Sequence, residues 1–167
     1  MKKLFILLSL TFVFAQLAVA QKTEIWIVRH AEKDNSDPKN TNPDLSAEGQ
    51  KRAQKLVNYM ADVKLDKAFT TPYRRTRQTL VPLVKAKGIE LVDYNDVAQL
   101  AKQIRKDYSG KKVIIAGHSN TILEIVEAFG IARPVATIGE KEFNNIFHIT
   151  LEADLMALDM NTYGDIM

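Results

Sequence analysis

The chain has 167 residues, no cysteine, and 23 Lys and Arg against 20 Asp and Glu. The absence of cysteine excludes disulfides, thiolate metal sites and a cysteine nucleophile. The positive excess is small and Lys2 and Lys3 supply most of it, so the net charge indicates no nucleic-acid partner.

Residues 1–20 have the organisation of a secretory signal peptide. A basic start at Lys2-Lys3 precedes an uncharged apolar run from Leu4 to Leu17, and Ala18-Val19-Ala20 provides a small-residue cleavage site. The apolar run is shorter than the roughly 20 residues that cross a bilayer, which argues against a membrane helix. We therefore expect cleavage after Ala20, a periplasmic or secreted protein with no remaining membrane span, and a single domain over residues 21–167.

The rest of the sequence alternates between β-like and helical segments. The β-like runs are apolar and rich in β-branched residues, whereas the helical segments carry apolar residues at helical spacing. Ser46 is predicted to cap the first helix, Pro72 to lie in the first turn of the second, and Gly88 to end it. In chain order, the predicted elements are a strand at 24–28, a loop at 34–44, a helix after Ser46, a strand at 67–70, a helix from 71 to about 87, a strand at 90–92, a helix at 97–108, a strand at 113–116 and a helix at about 121–129.

This alternation predicts an α/β protein with a mostly parallel sheet that is covered by helices on both faces. The end of the chain departs from the pattern. Residues 146–151 and 155–160 are two β-like runs separated by only three residues. Such a short connection joins antiparallel strands, so we expect a hairpin at or near one edge of the sheet.

Polar side chains follow three of the predicted strands. Arg29 and His30 come directly after the first strand, His118 follows the strand at 113–116, and Arg75 lies in the first turn of the helix after the second strand. In an open α/β sheet these positions meet at the edge where ligands bind. Two guanidinium groups and two imidazoles at one site suit a doubly negative tetrahedral anion, which predicts phosphate chemistry.

Four segments of the sequence together resemble a known family. They are Arg29-His30-Ala31-Glu32-Lys33 after a strand, Leu45-Ser46-Ala47-Glu48-Gly49 at a helix start, Thr71-Pro72-Tyr73-Arg74-Arg75-Thr76-Arg77-Gln78-Thr79, and Gly117-His118-Ser119-Asn120. In this order they resemble the histidine phosphatase superfamily, also called phosphoglycerate-mutase-like, and they extend from residue 29 to residue 120. The resemblance implies a three-layer α/β/α sandwich and a small phosphatase that needs no metal ion or other cofactor.

The resemblance also implies a role for each site residue. His30 is the nucleophile that forms a phosphohistidine, and Arg29, Arg75 and His118 complete the phosphate pocket. Arg75 is preferred to Arg74 because the family's pocket arginine directly precedes a small residue, here Thr76. An unprotonated imidazole can attack phosphorus and histidine titrates near neutrality, so the chemistry agrees with these roles. The expected substrate is a small phosphorylated molecule or a phosphorylated component of the cell envelope.

The proton donor for the leaving group is less clearly marked. Relatives in this family often use an acidic residue between the second and fourth strands, and Asp93 and Asp96 are the preferred candidates here, with Asp107 also in that stretch. Ser119 stands where acid-phosphatase relatives place an aspartate. If the chain has no dedicated acid, only substrates with good leaving groups should react quickly.

Two other functions are compatible with the same residues. A binding protein could keep the phosphate pocket without catalysis. A serine hydrolase could use Ser119, because residues 117–121 resemble a nucleophile elbow with Thr121 in place of the final glycine. His148 is expected to be structural, and Glu32 and Lys33 are either site residues or loop charges.

Overall fold

The computed structural model describes residues 21–153 and 155–164 of the chain. The predicted signal peptide therefore lies outside the described residues. Within them the chain forms a six-stranded sheet and four α-helices. The strands are β1 (Thr23–Arg29), β2 (Lys67–Thr70), β3 (Leu91–Asp93), β4 (Lys112–Gly117), β5 (Asn145–Glu152) and β6 (Leu155–Thr162), and the helices are α1 (Ala47–Tyr59), α2 (Arg74–Lys87), α3 (Val97–Asp107) and α4 (Thr121–Ala128).

The sheet has the strand order β3-β2-β4-β1-β5-β6. The first four strands in this order are parallel, with β4 paired to both β1 and β2. β5 runs antiparallel to β1, and β6 runs antiparallel to β5 at the edge. The predicted mixture of a parallel sheet and an antiparallel edge hairpin is confirmed.

The helices cover both faces of the sheet. Along β1 the side chains alternate, so that Ile25 and Ile27 pack with residues of α3 and α4, whereas Trp26 and Val28 pack with residues of α1 and α2. Every residue of β1 is buried, as expected for a strand between two layers of helices. This arrangement is the predicted three-layer α/β/α sandwich.

Two of the predicted helix boundaries are confirmed and one is wrong. The Ser46 hydroxyl accepts a hydrogen bond from the Gly49 amide and caps α1. Gly88 ends α2 with a φ of +65°, a conformation that glycine adopts without strain. Pro72, however, lies outside α2, because the backbone of Tyr73 is extended and the helix begins only at Arg74. Residues 71–73 instead form a turn between β2 and α2.

None of the helices formed by residues 21–153 and 155–164 combines the length and the apolar character needed to cross a membrane.

Candidate active site

Arg29, His30 and His118 lie at the carboxyl ends of two neighbouring parallel strands. Arg29 is the last residue of β1 and pairs in register with Gly117 of β4, and the His30 amide donates a 2.8 Å hydrogen bond to the Gly117 carbonyl. The imidazole rings of His30 and His118 consequently lie 5.3 Å apart, centroid to centroid. Parallel pairing of two strands thus brings together residues that are far apart in sequence.

Arg75 joins this group from the first turn of α2. Its Nη2 atom lies 3.4 Å from Nδ1 of His118. Arg29, His30, Arg75 and His118 all line one cavity of about 670 Å³. The four residues that the sequence predicts for a phosphate site therefore meet around a single space.

His30 is held as one neutral tautomer. Its Nδ1 atom lies 2.8 Å from the Ala31 carbonyl, which can only accept, so Nδ1 carries the hydrogen and Nε2 has a lone pair. Burial and the nearby charge of Arg75 lower the pKa of His30 from 6.5 to about 3, although the hydrogen bond to Ala31 opposes this shift. At neutral pH the Nε2 atom is therefore unprotonated and available for attack.

His118 is held as the opposite tautomer. Arg75 can only donate, so Nδ1 of His118 is the acceptor, and Nε2 donates to the Thr71 hydroxyl 3.1 Å away. The Thr71 hydroxyl lies 2.8 Å from that of Thr76, which in turn donates to backbone carbonyl groups. Burial and the charge of Arg75 lower the pKa of His118 to about 4, so this ring is also neutral before an anion binds.

Arg29 contacts a loop that precedes β5. Its Nη1 atom donates to the carbonyl groups of Gly139, Glu140 and Glu142 at 2.8–3.3 Å, and its guanidinium lies 4.2 Å from the ring centroid of Phe143. Phe143 also lies 6.1 Å from the His30 ring, centroid to centroid. Arg29 therefore holds one wall of the cavity in place.

The two arginines keep donor capacity for a ligand. The Nε atoms of Arg29 and Arg75 are buried and have no hydrogen-bond partner among the described residues. Buried donors are normally satisfied, and burial lowers the pKa of both guanidinium groups. An anion in the cavity would supply the missing acceptors.

The sequence did not indicate the wall formed by residues 139–143. Their position follows from the antiparallel pairing of β5 with β1, which brings the beginning of β5 to the edge where β1 ends. Glu140 and Lys141 also line the cavity. The predicted edge hairpin could have indicated this wall. A strand that runs antiparallel to its neighbour begins at the edge of the sheet where that neighbour ends.

Glu32 and Lys33 both line the cavity, and Glu32 is also bound to α1. The Glu32 carboxylate accepts hydrogen bonds of 2.6–2.9 Å from Arg52, and both side chains are buried. Next to this pair the backbones touch, since a Cβ atom added at Gly49 would lie 2.1 Å from the Glu32 carbonyl oxygen. The ion pair and the close approach fix the loop that follows His30.

The structure does not bring the predicted proton donors to the cavity. Asp93 pairs with Arg77, and Asp96 caps α3 by accepting a 2.7 Å hydrogen bond from the Gln99 amide. Neither residue lines the cavity that contains His30. Asp107 is the last residue of α3. A proton-donor role for Asp93 or Asp96 thus remains a prediction without support from the geometry.

Ser119 and His148 do not form a second catalytic group. Ser119 lines the cavity, but its hydroxyl has no hydrogen bond to a histidine or carboxylate among the described residues. His148 stacks on Trp26 with centroids 4.4 Å apart, on the face of the sheet that packs with α1 and α2. In the part of the chain that the structure describes, no group of three or more His, Asp or Glu side chains is placed to hold a metal ion.

A family model described as the histidine phosphatase superfamily (branch 1) matches residues 25–98, which include His30 and Arg75. The resemblance to the histidine phosphatase superfamily is confirmed. Members of this superfamily are phosphatases. No curated protein matches the sequence.

Solved structures of histidine phosphatases share the fold. SixA from Agrobacterium tumefaciens is 19% identical with a TM-score of 0.65, and the match covers 83% of this chain and 97% of SixA. The protein histidine phosphatase SixA complexed with tungstate is 15% identical with a TM-score of 0.68, covering 83% and 96% of the two chains. The mycobacterial glucosyl-3-phosphoglycerate phosphatase is 9% identical with a TM-score of 0.64, covering 85% and 98%. At identities of 9–19% these comparisons show a shared fold only. The predicted phosphoglycerate-mutase-like architecture is thereby confirmed.

Proposed function

We propose that this chain is an exported phosphatase that hydrolyses phosphomonoesters through a phosphohistidine on His30, without a metal ion or other cofactor. The observation that carries the proposal is the unprotonated Nε2 atom of His30 in a cavity lined by two guanidinium groups and a second imidazole. A buried neutral nucleophile surrounded by cationic donors is poorly suited to any ligand except an anion with an electrophilic centre.

In the first step the lone pair on Nε2 of His30 attacks phosphorus, the bond from phosphorus to the ester oxygen breaks, and that oxygen leaves with the electron pair and takes a proton from water. The charge on the three equatorial oxygens must be held during this transfer. Arg29 and Arg75 supply fixed positive charge and spare N–H donors for these oxygens. His118 can take up a proton on Nδ1 when the dianion arrives, because the negative charge raises the pKa of a neighbouring imidazole.

In the second step water attacks the phosphohistidine, the bond between nitrogen and phosphorus breaks, and inorganic phosphate leaves. The departing imidazole again carries its hydrogen on Nδ1, which the Ala31 carbonyl has held throughout. His30 is thereby regenerated in the tautomer that can attack the next substrate. The cycle uses no group that lies outside the described cavity.

The names of the similar structures support a phosphorylated substrate. One neighbour is a protein histidine phosphatase that was crystallised with tungstate, and another is a glucosyl-3-phosphoglycerate phosphatase. The proposed substrate is a small phosphorylated molecule or a phosphorylated envelope component. Export is proposed from the pattern of residues 1–20 alone.

The proposal is tested with the full chain expressed in a bacterium and recovered from the periplasm or medium. N-terminal sequencing should begin at Gln21, and a protein that starts at Met1 would contradict export. The purified protein should release phosphate from 4-nitrophenyl phosphate in the presence of a chelator, and radioactive phosphate should be trapped in an acid-labile, alkali-stable linkage.

His30→Ala should abolish both turnover and trapping, whereas the matched variant His148→Gln should retain them. Loss of turnover of at least about a thousandfold is expected when a nucleophile is removed. A pure phosphate-binding protein would bind tungstate but release no phosphate from any ester. A serine hydrolase would lose activity in Ser119→Ala and keep it in His30→Ala, which would overturn the proposal.

A further inference from the structure

A second cavity of about 540 Å³ adjoins the catalytic cavity. The two share Arg75, His118 and Asn120, but His30 lines only the catalytic one. The second cavity is therefore continuous with the catalytic one at Arg75 and His118 but is not lined by the nucleophile. Phosphoryl transfer is in line, so the leaving oxygen departs on the side of phosphorus opposite Nε2 of His30. A leaving group that departs away from His30 has the second cavity to receive it.

One wall of the second cavity is a loop fixed to α2. The Arg74 amide donates a 2.9 Å hydrogen bond to Oδ1 of Asn42, which leaves the Nδ2 atom of Asn42 as a donor. Nearby, Gln78 binds both Asp44 and the Leu45 amide at 2.6 and 2.7 Å. Asn42 is therefore held in place by α2, and its amide N–H groups remain available at the cavity.

Apart from His118, which the proposed function places at the phosphate, the other lining groups supply N–H donors but no carboxylic acid. Asn95 also lines the cavity, and its side chain has no hydrogen-bond partner among the described residues. The hydroxyls of Thr71 and Tyr94 are engaged, the first with His118 and Thr76 and the second with the Ala116 carbonyl at 3.3 Å. The described residues that line this cavity include no carboxylate.

We infer that the same site prefers acyl phosphates to phosphomonoesters, because their leaving group departs as a carboxylate and can bind the amide groups of Asn42 and Asn95. This inference rests on the proposed function. The bond from His30 Nε2 to phosphorus forms as the bond from phosphorus to the acyl oxygen breaks, and the electron pair leaves with the carboxylate. No proton is required in that step, and the subsequent attack of water releases one proton to solvent.

The test is a series of phosphate compounds with leaving groups of decreasing acidity, from acetyl phosphate through nitrophenyl and phenyl phosphate to glycerol 3-phosphate. The value of kcat/KM should fall steeply along the series, with acetyl phosphate at least about a hundredfold above glycerol 3-phosphate, because general acid catalysis is worth that much or more where it operates. If kcat/KM is the same for all these compounds while His30 still becomes phosphorylated, the inference is overturned and the proposed function stands. Failure to label His30 with any member would instead contradict the proposed function.

Variants at residue 95 test the assignment of the cavity. Asn95→Ala should lower kcat/KM for acetyl phosphate by about tenfold, since a hydrogen bond to a charged group is lost. Asn95→Asp places a carboxyl group beside the leaving oxygen and should raise turnover of glycerol 3-phosphate by about tenfold or more. The control is Asn58→Ala, at an exposed position in α1, which should change neither rate.

If folded Asn95→Asp protein gives the same kcat/KM values as the wild type along the series, residue 95 does not reach the leaving oxygen. That result would overturn the assignment of the cavity. Tyr73→Phe provides a second check, because Tyr73 also lines the cavity. If this variant makes the fall in kcat/KM steeper, the tyrosine hydroxyl supplies a proton and the inference is wrong.

Discussion

His30 and His118 lie edge to face, with ring planes at 66°, and they carry their hydrogens on different nitrogens. The hydrogen of His30 is on Nδ1 because the Ala31 carbonyl accepts it, and that of His118 is on Nε2 because Nδ1 receives a hydrogen bond from Arg75. Two rings of the same type thus differ in which nitrogen has the lone pair. In the proposed mechanism Nε2 of His30 attacks phosphorus, and Nδ1 of His118 takes up a proton next to the bound dianion.

The hydroxyl of Thr71 should matter because it holds the tautomer of His118. In Thr71→Val the Nε2–H group loses its acceptor, and kcat/KM for 4-nitrophenyl phosphate should fall by about tenfold, the value of one buried hydrogen bond. Thr71→Ser keeps the hydroxyl and should retain most of the activity. Equal losses in both variants would show that the methyl group, and not the hydrogen bond, is required.

Arg75 should contribute far more than the other arginines of α2. Arg75→Ala removes a charged donor at the phosphate and should lower kcat/KM by about 10²- to 10³-fold. Arg77→Ala is the matched control, because Arg77 pairs with the exposed Asp93 and does not line the catalytic cavity. Steady-state kinetics with 4-nitrophenyl phosphate measures both. A larger loss in Arg77→Ala would mean that the pocket arginine has been wrongly chosen.

The buried His30 should make stability depend on pH. Its pKa is about 3 in the folded protein and near 6.5 when unfolded, so the unfolded chain binds more protons between these values. Stability is therefore fully present above about pH 6.5 and is lost as the pH falls toward 3, by at most about 1.4 kcal/mol per pH unit for one group.

This effect can be isolated with His30→Gln, which cannot titrate. Urea unfolding of the wild type and the variant at several pH values between 7 and 4 gives the difference in free energy of unfolding. As the pH falls, the free energy of unfolding of the wild type should decrease more than that of His30→Gln. A difference that stays constant over this range would show that His30 does not titrate as a buried group.

The ion pair between Glu32 and Arg52 should be important for stability. Arg52→Met leaves a buried carboxylate without this partner and should lower the free energy of unfolding by about 3–5 kcal/mol. The exposed pair of Arg133 and Glu127 is the control, and Arg133→Met should cost less than about 1 kcal/mol. The double variant Glu32→Gln/Arg52→Met should recover part of the loss. Similar costs at the two arginines would contradict the role of burial.

Most of the fold could be predicted because the strands are short apolar runs between polar segments. The strand predicted at 67–70 matches β2, and the predicted third strand is shifted by only one residue from β3. Pro72 was placed wrongly because proline suits both the first turn of a helix and the turn before it. Sequence pattern alone does not separate these two positions.

The meeting of Arg29, His30, Arg75 and His118 around one cavity could also be predicted, since parallel strands end at one edge and charged groups there are conspicuous. The second cavity, beside Asn42 and Asn95, could not. Asn42 and Asn95 lie in loops, where no periodic pattern reports the direction of a side chain, and asparagine is common in loops for reasons of turn geometry alone. The tautomers of the histidines likewise depend on neighbours such as Ala31 and Thr71, which three-dimensional packing selects.

The close contact between Gly49 and Glu32 has an evolutionary consequence. Because backbone meets backbone there, the distance between α1 and the segment that carries the attacking nitrogen is set by the absence of a side chain. Residue 49 cannot gain even a methyl group unless the backbone of Glu32, two residues after His30, is displaced. We therefore expect selection to retain glycine at a position that does not itself line the cavity.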